Sequence, residues 1–306
     1  MTAAPQIPQT PQTLPTSREQ PLNLGARLRA YWQLIKSLQT GLLLITAVAG
    51  FMSVCCPVRG WQTLLGLVLT LFCAISGSTM LNMVYDRDID ARMARTARRP
   101  LPSGSISVQE ALLVGLALSW VGVGGALALH TLYGLIVAAG LFFDVMVYTI
   151  WLKRRTPWSI LWGGIAGGMP VLAGRTLGMG HVEPVGLLLA LAVLLWIPTH
   201  IMTFGIKYAA DYRRAGVPVF ATVYGEQTTR LIISVSTALA VSVMALAVWQ
   251  IGLHAKCLYA TISLGAILVL FTLISLAFPS PKLNFGLFKF ASLYMLGSMG
   301  LIMIGV

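Results

Sequence analysis

The stretch "LNMVYDRDIDARMARTARRPLPSG", Leu81 to Gly104, starts as the tail of an apolar run and turns abruptly into charge. It holds Asp86, Asp88 and Asp90, three of the nine acidic residues of the chain, and five arginines interleave or follow them. Everywhere else the 306-residue chain avoids charge: 57% of it is hydrophobic, 10% is charged and its mean hydropathy is +0.81. Soluble domains carry about 25% charged residues, so a soluble globular fold is excluded.

Outward from that stretch, apolar runs of about 20 residues recur from residue 38 to the C-terminus, the length needed to cross a ~30 Å hydrocarbon core. They predict an all-α polytopic membrane protein with nine transmembrane helices, over 37–57, 62–84, 107–128, 131–151, 158–177, 184–206, 228–250, 257–278 and 285–305. The fifth, rich in glycine and carrying Pro170, is expected to pack closely or to break. Residues 1–24 carry five prolines with many Gln and Thr and no apolar core of a signal sequence, which reads as a disordered tail. Residues 25–306 form the transmembrane domain.

The net charge of +12 does not point to nucleic acid, because the basic residues fall in the short gaps between apolar runs. With the N-terminus on side one, that side receives Arg18, Arg27, Arg29, Lys36, the five arginines of the opening stretch, Lys153 to Arg155, Lys207, Arg213, Arg214, Arg230, Lys282 and Lys289. The other side keeps Arg59, Arg175 and Lys256. The bias makes side one cytoplasmic, in the plasma or inner membrane. Cys55, Cys56, Cys73 and Cys257 show no metal-binding spacing and read as small apolar side chains.

Two charged loops share the cytoplasmic face. The second, "IKYAADYRRAGVPVFATVYG" (Ile206 to Gly225), repeats the layout of the first: an aspartate just past an apolar run, then arginines, a proline and a glycine. Asp86 and Asp211 thus hold comparable places in two four-span pseudo-repeats.

Acidic residues contribute little to topology, so these have another use. Steps of four turn about 400°, which places Asn82, Asp86 and Asp90 in one stripe at the end of the second span. Hard oxygen ligands suit Mg²⁺, which takes one or two carboxylates and completes its shell with phosphate oxygens. Arg95 and Arg99, also four apart if the helix continues, could fork onto those oxygens. Asp88 points elsewhere, toward Arg87 or Arg92. In the second loop Asp211 could hold another Mg²⁺, with Lys207, Tyr208, Arg213 or Arg214 toward a leaving group. His200, in "LLWIPTHIMTF", lies inside a span where Pro198 is expected to break the helix, and a polar group at that depth points to function.

"NMVYDRDIDARMARTARRPLPSG" resembles the first Asp-rich motif of the UbiA-type intramembrane prenyltransferase superfamily. Its form D-R-D-I-D-A-x-M-x-R-T-x-x-R-P-L is similar to the protohaem IX farnesyltransferase (haem O synthase) branch. "YTIWLKRRTPWSILWGGIAGGMPVLAG" (Tyr148 to Gly174) resembles that branch's loop between the fourth and fifth spans, and "DYRRAGVPV" its second motif. The likeness covers most of residues 27–306. It implies a nine-helix fold and Mg²⁺-dependent transfer of farnesyl from farnesyl diphosphate to a vinyl group of haem B, followed by water addition to give haem O. Haem A synthase or terminal oxidase assembly would follow. It also implies that Asn82, Asp86 and Asp90 hold Mg²⁺-diphosphate with Arg95 and Arg99, that Asp211 belongs to the second diphosphate site, and that His200 lies near the haem. The chain departs from the pattern at Lys207, where the superfamily often has a second aspartate, and at Pro198-Thr199-His200-Ile201. Alternatives are another prenyl acceptor (a quinone precursor or chlorophyll) and, more remotely, a secondary transporter of an anion.

Overall fold

A computed structural model describes residues 23–54 and 60–306; residues 1–22 of the predicted tail and the Cys55–Cys56 pair lie outside them, while Asn23 and Leu24, assigned to that tail, open the first helix. The described residues form helices joined by loops, with no strand among them. The chain opens with α1 (Leu24–Leu34), whose first turn is capped by Asn23: its Oδ1 accepts from Ala26 N at 2.8 Å. At Lys36, in the left-handed region at φ +45°, the chain bends by 53° into α2 (Ser37–Met52). Then come α3 (Trp61–Tyr85), the short α4 (Arg87–Arg92), α5 (Val108–Leu129) and α6 (Thr131–Phe142). α6 runs on into a π-helix over Phe143–Leu152. The rest comprises α7 (Ser159–Met179), α8 (Pro184–Lys207), the short α9 (Ala209–Ala215) and α10 (Phe220–Val223), then α11 (Glu226–Ile251), α12 (Ala255–Ala277) and α13 (Pro281–Gly305).

Each expected apolar segment coincides with a helix. Among the described residues, seven helices are long and apolar enough to cross a membrane, and the bent α1–α2 pair makes an eighth. The chain is therefore a multi-pass α-helical membrane protein. The remaining expected span, α7, is long enough but less apolar than the others, being diluted by glycine and Arg175.

The glycines of α7 explain its place. It does not break at Pro170; it packs along α2 and α8 with backbone nearly touching backbone. A Cβ on Gly174 would collide with the Ala47 carbonyl, and one on Gly50 with that of Val171. Small residues at a helix seam bring dispersion contacts and backbones together where lipid supplies no hydrophobic drive. α8 also continues through Pro198 instead of breaking there. In the turn before it, Ser236 Oγ of α11 donates to Leu195 O at 2.5 Å and ties this part of α8 to its neighbour. At the far end from the charged loops, Arg175 ties three helix ends together. Its Nε pairs with Glu183, and its Nη1 donates to Ser53 O at 2.8 Å and Ser53 Oγ at 2.6 Å.

The most extensive helix pairs, α3–α5 and α8–α11, flank the two charged loops. The loops then meet: Ile89 and Met93 from the first pack with Tyr212, Ala215 and Val217 from the second in a small apolar cluster. α1 lies beside α5, with Arg27 Nη2 2.5 Å from Glu110 Oε1 and Tyr31 bonded to the same carboxylate.

Candidate active site

The carboxylate stripe survives the change from α3 to α4. Asp86 N donates to Asn82 O at 2.9 Å and Asp90 N to Asp86 O at 2.8 Å, so the helical ladder passes through the junction. Asn82, Asp86 and Asp90 are all buried, at 5–6% exposure. A carboxylate out of water needs partners, and each has basic ones. Lys153 Nζ bonds Asp86 Oδ2, and Arg99 Nη1 donates to Asp90 Oδ2 at 2.8 Å. Burial alone would lower the pKa of Lys153, but the neighbouring Tyr148 and the Asp86 carboxylate more than offset it. The net shift is upward and the ammonium stays charged.

Asp86 Oδ1 is buried with no hydrogen-bond partner. A native buried acceptor left without a donor calls for an explanation, and an oxygen facing a cation needs none. Among the described residues no three His, Cys, Asp or Glu side chains converge as a ready metal cage. Mg²⁺ takes one or two carboxylates and fills its shell with water and substrate phosphate, and the stripe offers two carboxylates and an amide oxygen. The donor set therefore fits a diphosphate-bound Mg²⁺.

Beyond Arg92 the helix stops, with Met93 extended, and Thr96 Oγ1 donates back to Asp90 O at 2.8 Å. Arg95 and Arg99 therefore do not share a face. Arg99 turns in to Asp90, whereas the Arg95 guanidinium lies over Phe204 and Tyr208, 4.9 and 5.3 Å from their ring centres. Asp88 turns away from the stripe to Arg154, which meets it through two nitrogens at 2.7 and 3.0 Å; Arg92 is 3.9 Å away. The Arg154 hydrogen bond holds the Asp88 carboxyl below its usual pKa. Asp88 is thus a clasp between α4 and the loop after the π-helix.

The second loop is arranged differently. Asp211 is buried and pairs with Arg214 one turn on. Lys207 does not approach a carboxylate; its Nζ lies 3.7 Å from the centre of the Phe285 ring, with Lys289 over the same ring at 4.7 Å. Tyr208 packs at a tilt against Phe204 at the end of α8, and Arg213 is exposed. His200 sits on the α8–α13 seam between Trp196 and Phe288, at 5.1 and 4.5 Å, with Nδ1 3.1 Å from Ser292 Oγ. Neighbouring rings connect it to the first loop, from Phe288 to the tilted Phe204 (5.6 Å) and so to Arg95.

Five residues of the site went unread in the sequence. Asp144 and Thr149, on the π-helix, hold the two ends of the Asn82 amide. Ser78 Oγ donates to Asp144 Oδ2 at 2.5 Å. Lys153 reads in the sequence as one of the topology charges. Lys36, at the α1–α2 bend, lies within electrostatic reach of Lys153, Arg99, Asp144 and Asp86, and its side-chain ammonium makes no hydrogen bond or ion pair among the described residues. Asp144 did carry a signal, as the acid deepest within a predicted span. Beside the stripe, Tyr148, Lys153, Ile160, Met202, Gly205 and Phe220 line a cavity between the π-helix, α7, α8 and the second loop.

The profile of the UbiA prenyltransferase family matches residues 43–294. The chain is 43% identical over 209 residues to a protoheme IX farnesyltransferase of Pyrobaculum islandicum, covering 68% of this chain and 75% of that one. It is 40% identical over 214 residues to that of Archaeoglobus fulgidus, covering 69% and 74%. In three dimensions it is similar to a digeranylgeranylglyceryl phosphate synthase (TM-score 0.75, 20% identity, 92% and 98% covered). It is also similar to a UbiA homolog from Archaeoglobus fulgidus bound to GPP and Mg²⁺ (TM-score 0.67, 18% identity, 90% and 100% covered).

Proposed function

The chain belongs to the UbiA prenyltransferase family, and on that premise we propose that it transfers a farnesyl group from farnesyl diphosphate to a vinyl group of protohaem IX. The observation that carries the site assignment is the buried Asn82–Asp86–Asp90 stripe with its orphaned Asp86 oxygen, set between Lys153 and Arg99 at the edge of an apolar bundle. The choice of acceptor rests on the relatives, which are named for it at 40–44% identity over about two thirds of this chain.

Asn82, Asp86 and Asp90 would hold Mg²⁺, which when bound supplies positive charge to the oxygens of the departing diphosphate. Lys153, Arg99 and Lys36 take the remaining anionic oxygens. Lys153 and Arg99 already sit on the carboxylates, so they exchange one anion for another as substrate enters and need little reorganisation. The allylic C–O bond breaks with its electron pair going to the diphosphate. The vinyl terminus then forms the new C–C bond, and water adds at the adjacent carbon with loss of its proton. Side chains such as Met202 and Phe220 exclude bulk water until the acceptor has reacted. His200 and its stacked neighbours lie on the haem side, with Asp211, Tyr208, Lys207 and Arg213 at the second loop. Arg95, lodged on the same rings, belongs with that side rather than with Arg99.

The proposed architecture is nine crossings, with α7 the least apolar, in two pseudo-repeats within residues 25–306. The N-terminus and both charged loops are cytoplasmic, in the plasma or inner membrane, and the product passes to haem A synthase or terminal oxidase assembly. The test is turnover of haem B, farnesyl diphosphate and Mg²⁺ by purified protein in nanodiscs, with products read by mass. A haem heavier by farnesyl plus water supports the reading. Released diphosphate with unmodified haem keeps the class and refutes the acceptor.

A further inference from the structure

Asn82 differs from its two partners in the stripe, because an amide has one end that accepts and one that donates. If the donor end faced a cation, the ligand would be lost. Two residues of the π-helix prevent that. Asn82 Nδ2 donates to Asp144 Oδ2 at 2.7 Å, and Asn82 Oδ1 accepts from Thr149 Oγ1 at 2.8 Å. Asp144 Oδ2 is itself fixed by Ser78 Oγ at 2.5 Å, from one turn before Asn82 on α3.

The π-helix makes this grip possible. Asp144 and Thr149 are five residues apart, which in an α-helix would leave them about 140° apart at 100° per residue. A π-helix bonds i to i+5 and stacks such residues on one face, and it occurs mostly as single turns at functional sites. Here it runs for ten residues, and Tyr148 and Lys153 form a second five-apart pair, with Lys153 N bonded to Tyr148 O at 2.8 Å. One widened helix thus aims both the Asn82 clasp and the Asp86 counter-ion.

We propose that Asp144 is a positioning residue of the cation–diphosphate site: it holds the amide nitrogen of Asn82, so that Oδ1, with one lone pair on Thr149, keeps its second lone pair as an acceptor in the stripe. Reversing the amide would set Asn82 Oδ1 against the Asp144 carboxylate, which cannot donate when ionised. The inference rests on the stripe being the Mg²⁺–diphosphate site. It assigns Asp144 no contact with substrate.

The experiment is Mn²⁺ binding to the full chain in nanodiscs with inorganic pyrophosphate, read from the EPR signal of free Mn²⁺, with no turnover involved. Asp144→Ala is expected to weaken binding 10- to 100-fold, the usual effect of removing a partner that orients a metal ligand. Asp144→Asn, whose side-chain oxygen can accept the same two bonds, is expected to recover most of it. Asn82→Ala should weaken Mn²⁺ by itself, and adding Asp144→Ala should weaken it no further, because the two act as one unit. Asp144→Ser supplies the same readout should the alanine variant fail to fold. The proposal is overturned if the alanine variant binds like wild type, if it costs as much in the Asn82→Ala background, or if Asp144→Asn is as damaging as alanine. These outcomes leave the site itself standing. Absence of Mn²⁺ binding in the wild type would remove both.

Discussion

Asp86 and Asp88 are two residues apart and chemically identical, yet their surroundings give them different work. Asp86 is buried, with Lys153 on one oxygen and nothing on the other; Asp88 is 45% exposed and tied to Arg154. Asp86→Asn should lower kcat/KM for farnesyl diphosphate by about 100-fold or more, the scale of losing one preorganised electrostatic contact. Asp88→Asn should change it less than about fivefold, since an exposed pair contributes at most ~1 kcal/mol. Steady-state assays of the two variants check this, and equal effects would contradict it. Asp88 also makes a pH prediction. Its folded pKa is depressed, chiefly by the Arg154 hydrogen bond, so its stabilisation is present above the unfolded value of about 3.9 and fades as pH falls through the folded one. The Tm difference between wild type and Asp88→Asn should be positive at pH 7 and shrink below about pH 4. A difference constant from pH 7 to 3 would show that the ion pair is not its source.

At the scale of elements, close approach and pitch position the site. Gly174→Ala forces a Cβ into the Ala47 carbonyl of α2, and overpacking of this kind costs ~1–3 kcal/mol. Gly124→Ala, in open space on α5, should be neutral or gain up to ~1 kcal/mol of helix propensity. Thermal unfolding in one detergent compares them, and an undiminished Tm for Gly174→Ala would refute the α2–α7 seam. The carboxylate stripe was legible because residues at i, i+4 and i+8 share a face whenever the ladder is unbroken, and it is unbroken through Asp86. Arg95 and Arg99 were misread by the same rule, because the helix ends at Arg92. The π-helix left no trace in the apolar pattern, since its ten residues are as hydrophobic as an α-helical span. Asp144, Thr149 and Lys153 were therefore invisible as a set, although the intramembrane position of Asp144 was a clue.

For the whole molecule, alternation of long apolar runs with basic gaps revealed the class, because hydrocarbon admits few other solutions than helices. It could not reveal the bend at Lys36 or the way the two loops meet through Ile89, Met93 and Tyr212, which depend on contacts distant in sequence. Single cysteines at Ser105 and Ser280, reacted with an impermeant maleimide in intact cells, should be silent, whereas one at His181 should label. Labelling at Ser105 would invert the proposed topology. The central claim is that Asp86 trades Lys153 for a cation when diphosphate arrives. The most direct measurement is a cryo-EM map of the protein with Mg²⁺ and pyrophosphate. The account predicts density about 2.0–2.1 Å from a carboxylate oxygen of Asp86, with Lys153 moved from that carboxylate onto the diphosphate. Pyrophosphate bound elsewhere, with Lys153 still on Asp86, would contradict it.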